Sequence, residues 1–138
     1  MNIELVKKAE SLLTKCPVSS VASVSEEGYP RICIMRQLKT NGIKEFWFPT
    51  SADGIKVRHF KKNSKAGVTF YNGGDSVTLT GTMEIVTDKA MKDALWDEWS
   101  NFLEPHYGGK DAPDYCVIHF VANETTIYIG GKTETFEI

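Results

Sequence analysis

Stretches of alternating apolar and polar residues predict a fold with more strand than helix. Residues 3–15 place apolar side chains three and four positions apart with charges between them, as in an amphipathic helix. Two more helices are predicted over residues 51–63 and from a cap at Thr87 or Asp88 to about Leu103. Residues 104–113, rich in Gly and Pro, are expected to form a loop.

Runs of β-branched and aromatic residues predict the strands. They are residues 18–24, 31–38, 44–48, 66–71, 76–86, 115–122 and 125–131. Within residues 31–38, Ile32 and Ile34 are expected to face one way and Arg31, Cys33 and Met35 the other. The pair Asn41-Gly42 is a strong hairpin signal, Asn123-Glu124 is expected to join the last two strands, and Gly81 indicates a bend or a close backbone approach. Hairpin-linked strands interrupted by three helices predict an α+β fold, a closed antiparallel barrel flanked by helices.

Length and composition place few other constraints on function. The 138 residues suggest one domain, and the net charge of −2 does not favour binding to nucleic acid or anionic membranes. The chain has no apolar run of roughly 20 residues and no signal-peptide pattern at its start. Three widely spaced cysteines predict neither a disulfide framework nor a zinc site, so a reducing cytoplasmic setting is expected.

Several common catalytic and binding motifs do not occur. There is no dinucleotide, P-loop or nucleophile-elbow pattern, and His59, His106 and His119 lie too far apart to indicate a metal site. His119 lies in a predicted strand and is expected to be a hydrogen-bonded sheet residue. The helical spacing of Trp96, Trp99 and Phe102 favours packing over nucleic-acid stacking, because their neighbours are acidic.

The segment EFWFPTSADGIKV, residues 45–57, combines an aromatic strand with hydroxyls and a cation at a predicted helix start. Thr50 and Ser51 could simply cap a surface helix that projects Lys56 into solvent. They could also form an anion site, because a helix start offers free N–H groups and the positive end of the macrodipole. From the residues alone, both interpretations remain open.

The order of these segments resembles the flavin-binding split barrels related to pyridoxamine phosphate oxidase, and in particular the general stress protein 26-like branch. The resemblance covers nearly the whole chain: EEGYPRICIM, FWFPTS…K, SVTLTGTMEIV, the Trp-bearing helix and DAPDYCVIHFVANETTIYI. It implies a six-stranded split β-barrel in a single domain, residues 1–138. It also implies a homodimer that binds flavin mononucleotide (FMN) at the interface.

The resemblance also implies the residues that bind the cofactor. RICIMR would line the flavin ring and ribityl chain, Pro49-Thr50 and Gly54 to Lys56 would hold the phosphate, and an Arg would stabilise the negative charge that the ring gains on reduction. The expected cofactor-binding residues are Arg31, Ile32, Cys33, Met35, Arg36, Phe48, Pro49, Thr50, Ser51, Gly54, Ile55, Lys56 and Ser76. No catalytic acid or base is assigned.

The sequence departs from that of the true oxidase in three places. Ile55 stands where the oxidase has an Arg before the phosphate Lys, and Arg36 stands where its flavin strand ends in Lys. The chain ends at Ile138, without the C-terminal segment that supplies the oxidase's substrate-phosphate groups. These departures predict that it is not a true pyridoxine phosphate oxidase.

Four functions remain open on this basis. The leading one is an FMN-dependent oxidoreductase with an unknown small-molecule substrate. The others are a non-enzymatic flavin-binding or stress protein, a split barrel that binds haem through one of the three histidines, and a deazaflavin protein. Nucleic-acid binding through the basic residues 56–65 is disfavoured by the acidic net charge.

Overall fold

Eight strands and three helices make up the structure, a computed structural model that describes residues 1–138. In chain order they are α1 (Ile3–Leu13), β1 (Val18–Val24), β2 (Pro30–Arg36), β3 (Lys39–Asn41), β4 (Glu45–Ser51), α2 (Ile55–Lys62), β5 (Lys65–Asn72), β6 (Asp75–Ile85), α3 (Lys89–Tyr107), β7 (Tyr115–Ile129) and β8 (Lys132–Glu137). None of the helices is long and apolar enough to cross a membrane.

The strands form one antiparallel sheet in the order β2-β1-β5-β6-β7-β4-β3, with β8 paired to β7. The long β7 pairs with β6 along one edge, and with β4 and then β8 along the other. The sheet curls until β2 contacts β4, but no ladder joins these two strands. The predicted α+β split barrel is thus confirmed, with eight strands rather than six. The prediction of a closed barrel was wrong, because the seam between β2 and β4 is unpaired, and this seam leaves room for a site.

The barrel interior is filled by the inward-facing residues of the strands, as the period of two requires. The Phe46 ring lies with its centroid 5.9 Å from Phe48, 6.1 Å from Phe70 and 6.2 Å from Phe120, and all four residues are buried. α1 adds the buried Leu12 and its neighbours to the same cluster. This apolar core fixes the strands on both sides of the seam.

A second, smaller core lies between the sheet and α3. Its buried members are Leu38, Trp47, Leu95, Trp96, Leu103, Tyr115 and Val117. The rings of Trp96 and Tyr115 meet edge to face with centroids 5.0 Å apart. The prediction that the tryptophan-bearing helix packs against the protein is therefore confirmed for Trp96.

The junction of β4 and α2 differs from the predicted one. β4 continues through Pro49, which pairs with Val117, and α2 begins only at Ile55, so Thr50 and Ser51 end a strand and do not start a helix. The ring of Pro49 is tolerated because the strand has lost its β3 neighbour there. The Trp47 carbonyl accepts from Leu38 N–H, so the backbone of Trp47 faces β3. Pro49, two residues further on, faces the same side, where β3 has already ended and no N–H donor is needed.

The C-terminal strands also differ from the prediction. Residues 115–129 form one strand, in which the ladder to β6 passes from Thr80↔Glu124 to Gly81↔Ala122 and leaves Asn123 as a bulge. The predicted break at Asn123-Glu124 was therefore wrong, since a bulge bends a strand without ending it. β8 was missed because KTETFE shows no apolar alternation and is largely exposed at the sheet edge.

The hairpin after β2 and the end of α3, both near the seam, also differ from the prediction. The Asn41-Gly42 hairpin is confirmed, with Gly42 at φ 55°, but its first strand is the short β3 and not β2. α3 continues to Tyr107 instead of ending at Leu103, although Pro105 lies in its last turn. The helix is interrupted at Trp99, whose φ of −116° and ψ of 21° are not helical. Its last turn therefore reaches the seam.

Candidate functional site

A cleft of about 380 Å³ opens where β2, the β4–α2 junction and the end of α3 meet. Its walls are Ile34, Met35, Arg36, Pro49, Thr50, Ser51, Gly54, Lys56, Phe102, His106 and Tyr107. The structure therefore brings together the predicted residues Met35, Arg36, Pro49, Thr50, Ser51, Gly54 and Lys56. It also adds Ile34, which lies within the predicted run RICIMR, and three side chains from α3.

The start of α2 forms one wall of the cleft. Gly54 is the N-cap, and no side chain bonds to the first turn of the helix, whose leading N–H groups have no partner within a helix. A Cβ on Gly54 would lie 3.0 Å from the Ser51 carbonyl oxygen and 3.8 Å from Thr50 Oγ1. The glycine thus keeps the turn tight and the helix start open, with a buried hydroxyl and Lys56 beside it.

Ser51 is already engaged by a carboxylate. Its hydroxyl donates to Asp114 Oδ2 over 3.1 Å, and the Ala52 N–H donates to the Asp114 carbonyl over 2.9 Å. An exposed negative charge therefore stands beside the open helix start. It opposes the positive charge that the helix start and Lys56 provide.

Arg36, at the floor of the cleft, lies against two neighbouring aromatic rings. The central carbon of its guanidinium is 5.2 Å from the Trp99 ring centroid and 5.3 Å from that of Phe102. The interruption of α3 at Trp99 accompanies a hydrogen bond of 2.7 Å from the Trp99 indole N–H to the Leu38 carbonyl. Arg36 Nε is buried without a partner, which leaves an unused donor next to the cleft.

Other predicted residues lie outside the cleft. On β2, Ile32 is 67% exposed on the outer face, whereas Arg31 and Cys33 face the interior, with Arg31 Nη1 buried and unpaired. The predicted alternation along this strand is thus observed, with the isoleucines outside. Ile55 is exposed at the first turn of α2.

Phe48 and Ser76 are also away from the cleft. Phe48 is fully buried in the barrel core, so its side chain does not line the cleft. The apolar wall of the cleft is formed by Ile34, Pro49 and Phe102. Ser76 lies on β6 between Tyr71 and Tyr128 in the ladder.

The three residues from α3 were not predicted, because FLEPHY was assigned partly to a loop. A spacing of four residues places Phe102 and His106 on one side of the helix end, and this spacing could have revealed them, whereas Tyr107 has no such signal. Burial, with smaller effects from Asp114 and Cys116, raises the pKa of Tyr107 to about 12. Its hydroxyl therefore keeps its proton at neutral pH and can donate to a ligand.

The other two histidines are used structurally. His119 stacks on Trp47 with centroids 4.3 Å apart, and its two ring nitrogens lie 3.0 Å from carboxylate oxygens of Glu45 and Glu84. His59 Nδ1 lies 2.8 Å from the Ser23 hydroxyl. The prediction of a hydrogen-bonded His119 in the sheet is confirmed, and the cleft contains only His106.

Comparison with known proteins gives the family of the chain. The family model described as pyridoxamine 5'-phosphate oxidase matches residues 5–128. A Clostridium acetobutylicum protein related to general stress protein 26 of B. subtilis is 32% identical, with coverage of 100% of this chain and 97% of that one and a TM-score of 0.87. That protein is itself described as a member of the pyridoxinephosphate oxidase family.

Two more distant structures share the fold alone. General Stress Protein 26 from Bacillus anthracis is 15% identical, with coverage of 99% of this chain and 100% of that one and a TM-score of 0.82. A heme binding protein from Mycobacterium smegmatis is 16% identical, with coverage of 99% of this chain and 59% of that one and a TM-score of 0.78. Among the curated proteins, no sequence matches this chain. By the extent of the family match and the 32% identity, the chain belongs to the pyridoxamine 5'-phosphate oxidase family, in its general stress protein 26-like branch.

Proposed function

We propose that this protein binds FMN with its phosphate in the cleft at the start of α2, and that it is a homodimeric oxidoreductase. The observation that carries the proposal is the open first turn of α2 beside Thr50 and Lys56. Family membership supports a flavin as the ligand.

The cleft fits a phosphate ester by charge and by hydrogen-bonding groups. Such a group carries about −1.5 to −2 charges near neutral pH and accepts several hydrogen bonds. The cleft offers the N–H groups of a helix start, the Lys56 ammonium, and the hydroxyls of Thr50 and Tyr107. A larger residue at position 54 would crowd the Ser51 carbonyl, so the glycine is suited to close approach by a ligand.

The floor of the cleft fits the rest of the cofactor. Ile34, Pro49 and Phe102 provide apolar surface, and Arg36 provides a cation with an unpaired donor. When bound, FMN supplies the redox chemistry, while these residues bind and orient it and Arg36 offsets negative charge on the ring. We propose that Arg31, Ile32 and Cys33, which continue along β2, also contact the flavin.

A second copy of the chain accounts for the exposed apolar residues on the outer face of the sheet. Ile32, Ile34 and Tyr71 are 67%, 66% and 78% exposed, and Tyr29 and Tyr128 are also exposed. Contiguous surface of this kind usually packs against a partner. In our proposal this face forms the homodimer interface, and Ser76, which lies on it, contributes to the partner's flavin site.

We expect Tyr71→Glu to shift the protein from a dimer towards a 15.4 kDa monomer. The side chain is exposed in the single chain, so the substitution should leave the monomer folded while placing two charges in the interface. Sedimentation equilibrium measures the change. Asn101→Glu, an equivalent change on the exposed side of α3, is the control and should remain dimeric. A wild-type protein that sediments only at 15.4 kDa would refute the dimer.

We expect Asp114→Asn to tighten FMN binding by up to about fivefold. The carboxylate is exposed and bonded to Ser51, so its removal relieves repulsion worth at most ~1 kcal/mol. Riboflavin, which has no phosphate, should bind equally to wild type and variant. Parallel fluorescence titrations with both ligands measure this, and a tightening shared by riboflavin would show that Asp114 acts elsewhere.

Two alternatives are distinguished by simple measurements. A non-enzymatic flavin-binding protein would bind FMN but show no steady turnover with an electron donor. A haem-binding split barrel would give a Soret band after reconstitution with hemin. Because His59 and His119 are engaged elsewhere, His106 would be the axial ligand within the cleft.

A further inference from the structure

His106 is the one titratable side chain of the cleft wall that the binding proposal leaves without a role. It is exposed in the last turn of α3 and takes part in no ion pair. Its nearest ring neighbours are Phe102, with centroids 5.3 Å apart, and Tyr107, at 6.2 Å. The imidazole is therefore available to a ligand in the cleft.

The groups around His106 suit a cation at this position when an anion is bound. The end of α3 presents the negative end of the helix macrodipole, which stabilises a cation in the last turn. Arg36 from β2 and Lys56 from α2 oppose that charge while the cleft holds no anion. A bound phosphate carries about −1.5 to −2 charges, so it offsets the Lys56 ammonium and can balance a further cation.

The remaining charged groups nearby are engaged, neutral or exposed to solvent. Asp114 is held by Ser51 of β4, and Tyr107 stays neutral because burial raises its pKa to about 12. In the loop after α3, Lys110 is paired with Asp97 and Asp111 with Lys89. Glu104 on α3 is exposed to solvent.

We propose that His106 is a pH-dependent cation for the ligand's phosphate, so that binding of FMN takes up a proton at this side chain. This inference rests on the proposed function. Imidazole side chains change charge between about pH 5 and 8, so the contribution is present at the acid end of this range and is lost as the pH rises. The family resemblance assigned no role to this residue.

The test must separate His106 from the phosphate, which itself titrates near pH 6. Protonation of the phosphate weakens binding as the pH falls, which is opposite to the effect of His106. Comparing variants with wild type at the same pH removes the phosphate's contribution, because the ligand is identical in each pair. His106→Gln removes the charge at every pH, and His106→Lys fixes it. The side chain is exposed, so both variants should fold.

We expect the two variants to differ from wild type at opposite ends of the pH range. At pH 6, His106→Gln should bind FMN roughly two- to fivefold more weakly than wild type, while His106→Lys should match it. At pH 8, His106→Gln should match wild type, while His106→Lys should bind more tightly by a similar factor. Riboflavin affinity should change in neither variant, and calorimetry in buffers of different ionisation enthalpy should detect proton uptake that His106→Gln reduces.

Failure of this inference is distinguishable from failure of the proposed function. Wild type that binds no FMN at any pH overturns the proposed function. FMN binding with the same ratio between wild type and His106→Gln at pH 6 and pH 8 overturns only the role of His106. Equal changes for riboflavin and FMN overturn it as well, since they would place the imidazole against the ring or the ribityl chain.

Discussion

Lys56→Ala is expected to weaken FMN binding on the order of ten- to a hundredfold and to leave riboflavin binding almost unchanged. Lys56 lines the cleft at the open start of α2, where a charge-assisted hydrogen bond to phosphate is worth roughly 1.5–3 kcal/mol. About 1.4 kcal/mol corresponds to each factor of ten in affinity. Titration of wild type and variant with both ligands, followed by flavin fluorescence, measures the difference.

Lys61→Ala is the matched control for this prediction. Lys61 is an exposed lysine on the same helix that does not line the cleft, so its removal should affect neither ligand appreciably. Thr50→Ala should act in the same direction as Lys56→Ala but less, because a neutral hydroxyl makes a weaker bond. Added salt should reduce the contribution of Lys56 more than that of Thr50. Equal losses for FMN and riboflavin, or none, would remove Lys56 from the site.

Gly81→Ala is expected to destabilise the fold by about 3 kcal/mol or more. A Cβ at this position would lie 2.0 Å from the Val121 carbonyl oxygen and 2.8 Å from the Ala122 Cα, both backbone atoms. Gly81 of β6 lies next to the bulge at Asn123 of β7, and the two strands cannot separate here without breaking ladder hydrogen bonds. Thermal unfolding should shift down on the order of 10 °C.

Gly109→Ala tests whether the effect belongs to the close approach or to any loss of glycine. Gly109 has no atom within 4 Å of the Cβ position and does not have a positive φ. Its replacement should leave the unfolding temperature nearly unchanged or raise it slightly. If both variants unfold at the same temperature as wild type, the close packing of β6 on β7 at Gly81 is wrong.

The sequence was informative where local chemistry alone decides the structure. The alternation of Ile32 and Ile34 against Met35 predicted which side chains of β2 share a face, and the Asn41-Gly42 turn formed as expected. Gly81 was correctly identified as a point of close backbone approach. Each of these features depends on residues close together in the chain or on one steric requirement.

The errors arose where tertiary neighbours override local signals. Pro49 normally ends a strand, but here its missing N–H faces the side where β3 has already ended. Asn123-Glu124 looked like a turn, but the partner strands β6 and β8 hold it in a bulged strand. Pro105 obscured the end of α3, so the contribution of His106 and Tyr107 to the cleft could not be foreseen from the loop-like composition.

The most direct test of the account is a titration of the folded apo-protein with FMN and, in parallel, with riboflavin. We expect saturable binding of FMN, one per chain, with a dissociation constant below about ten micromolar. Riboflavin should bind clearly more weakly, because in our proposal the phosphate occupies the open start of α2. Failure of the folded protein to bind FMN at such concentrations, or equal affinity for the two ligands, would contradict it.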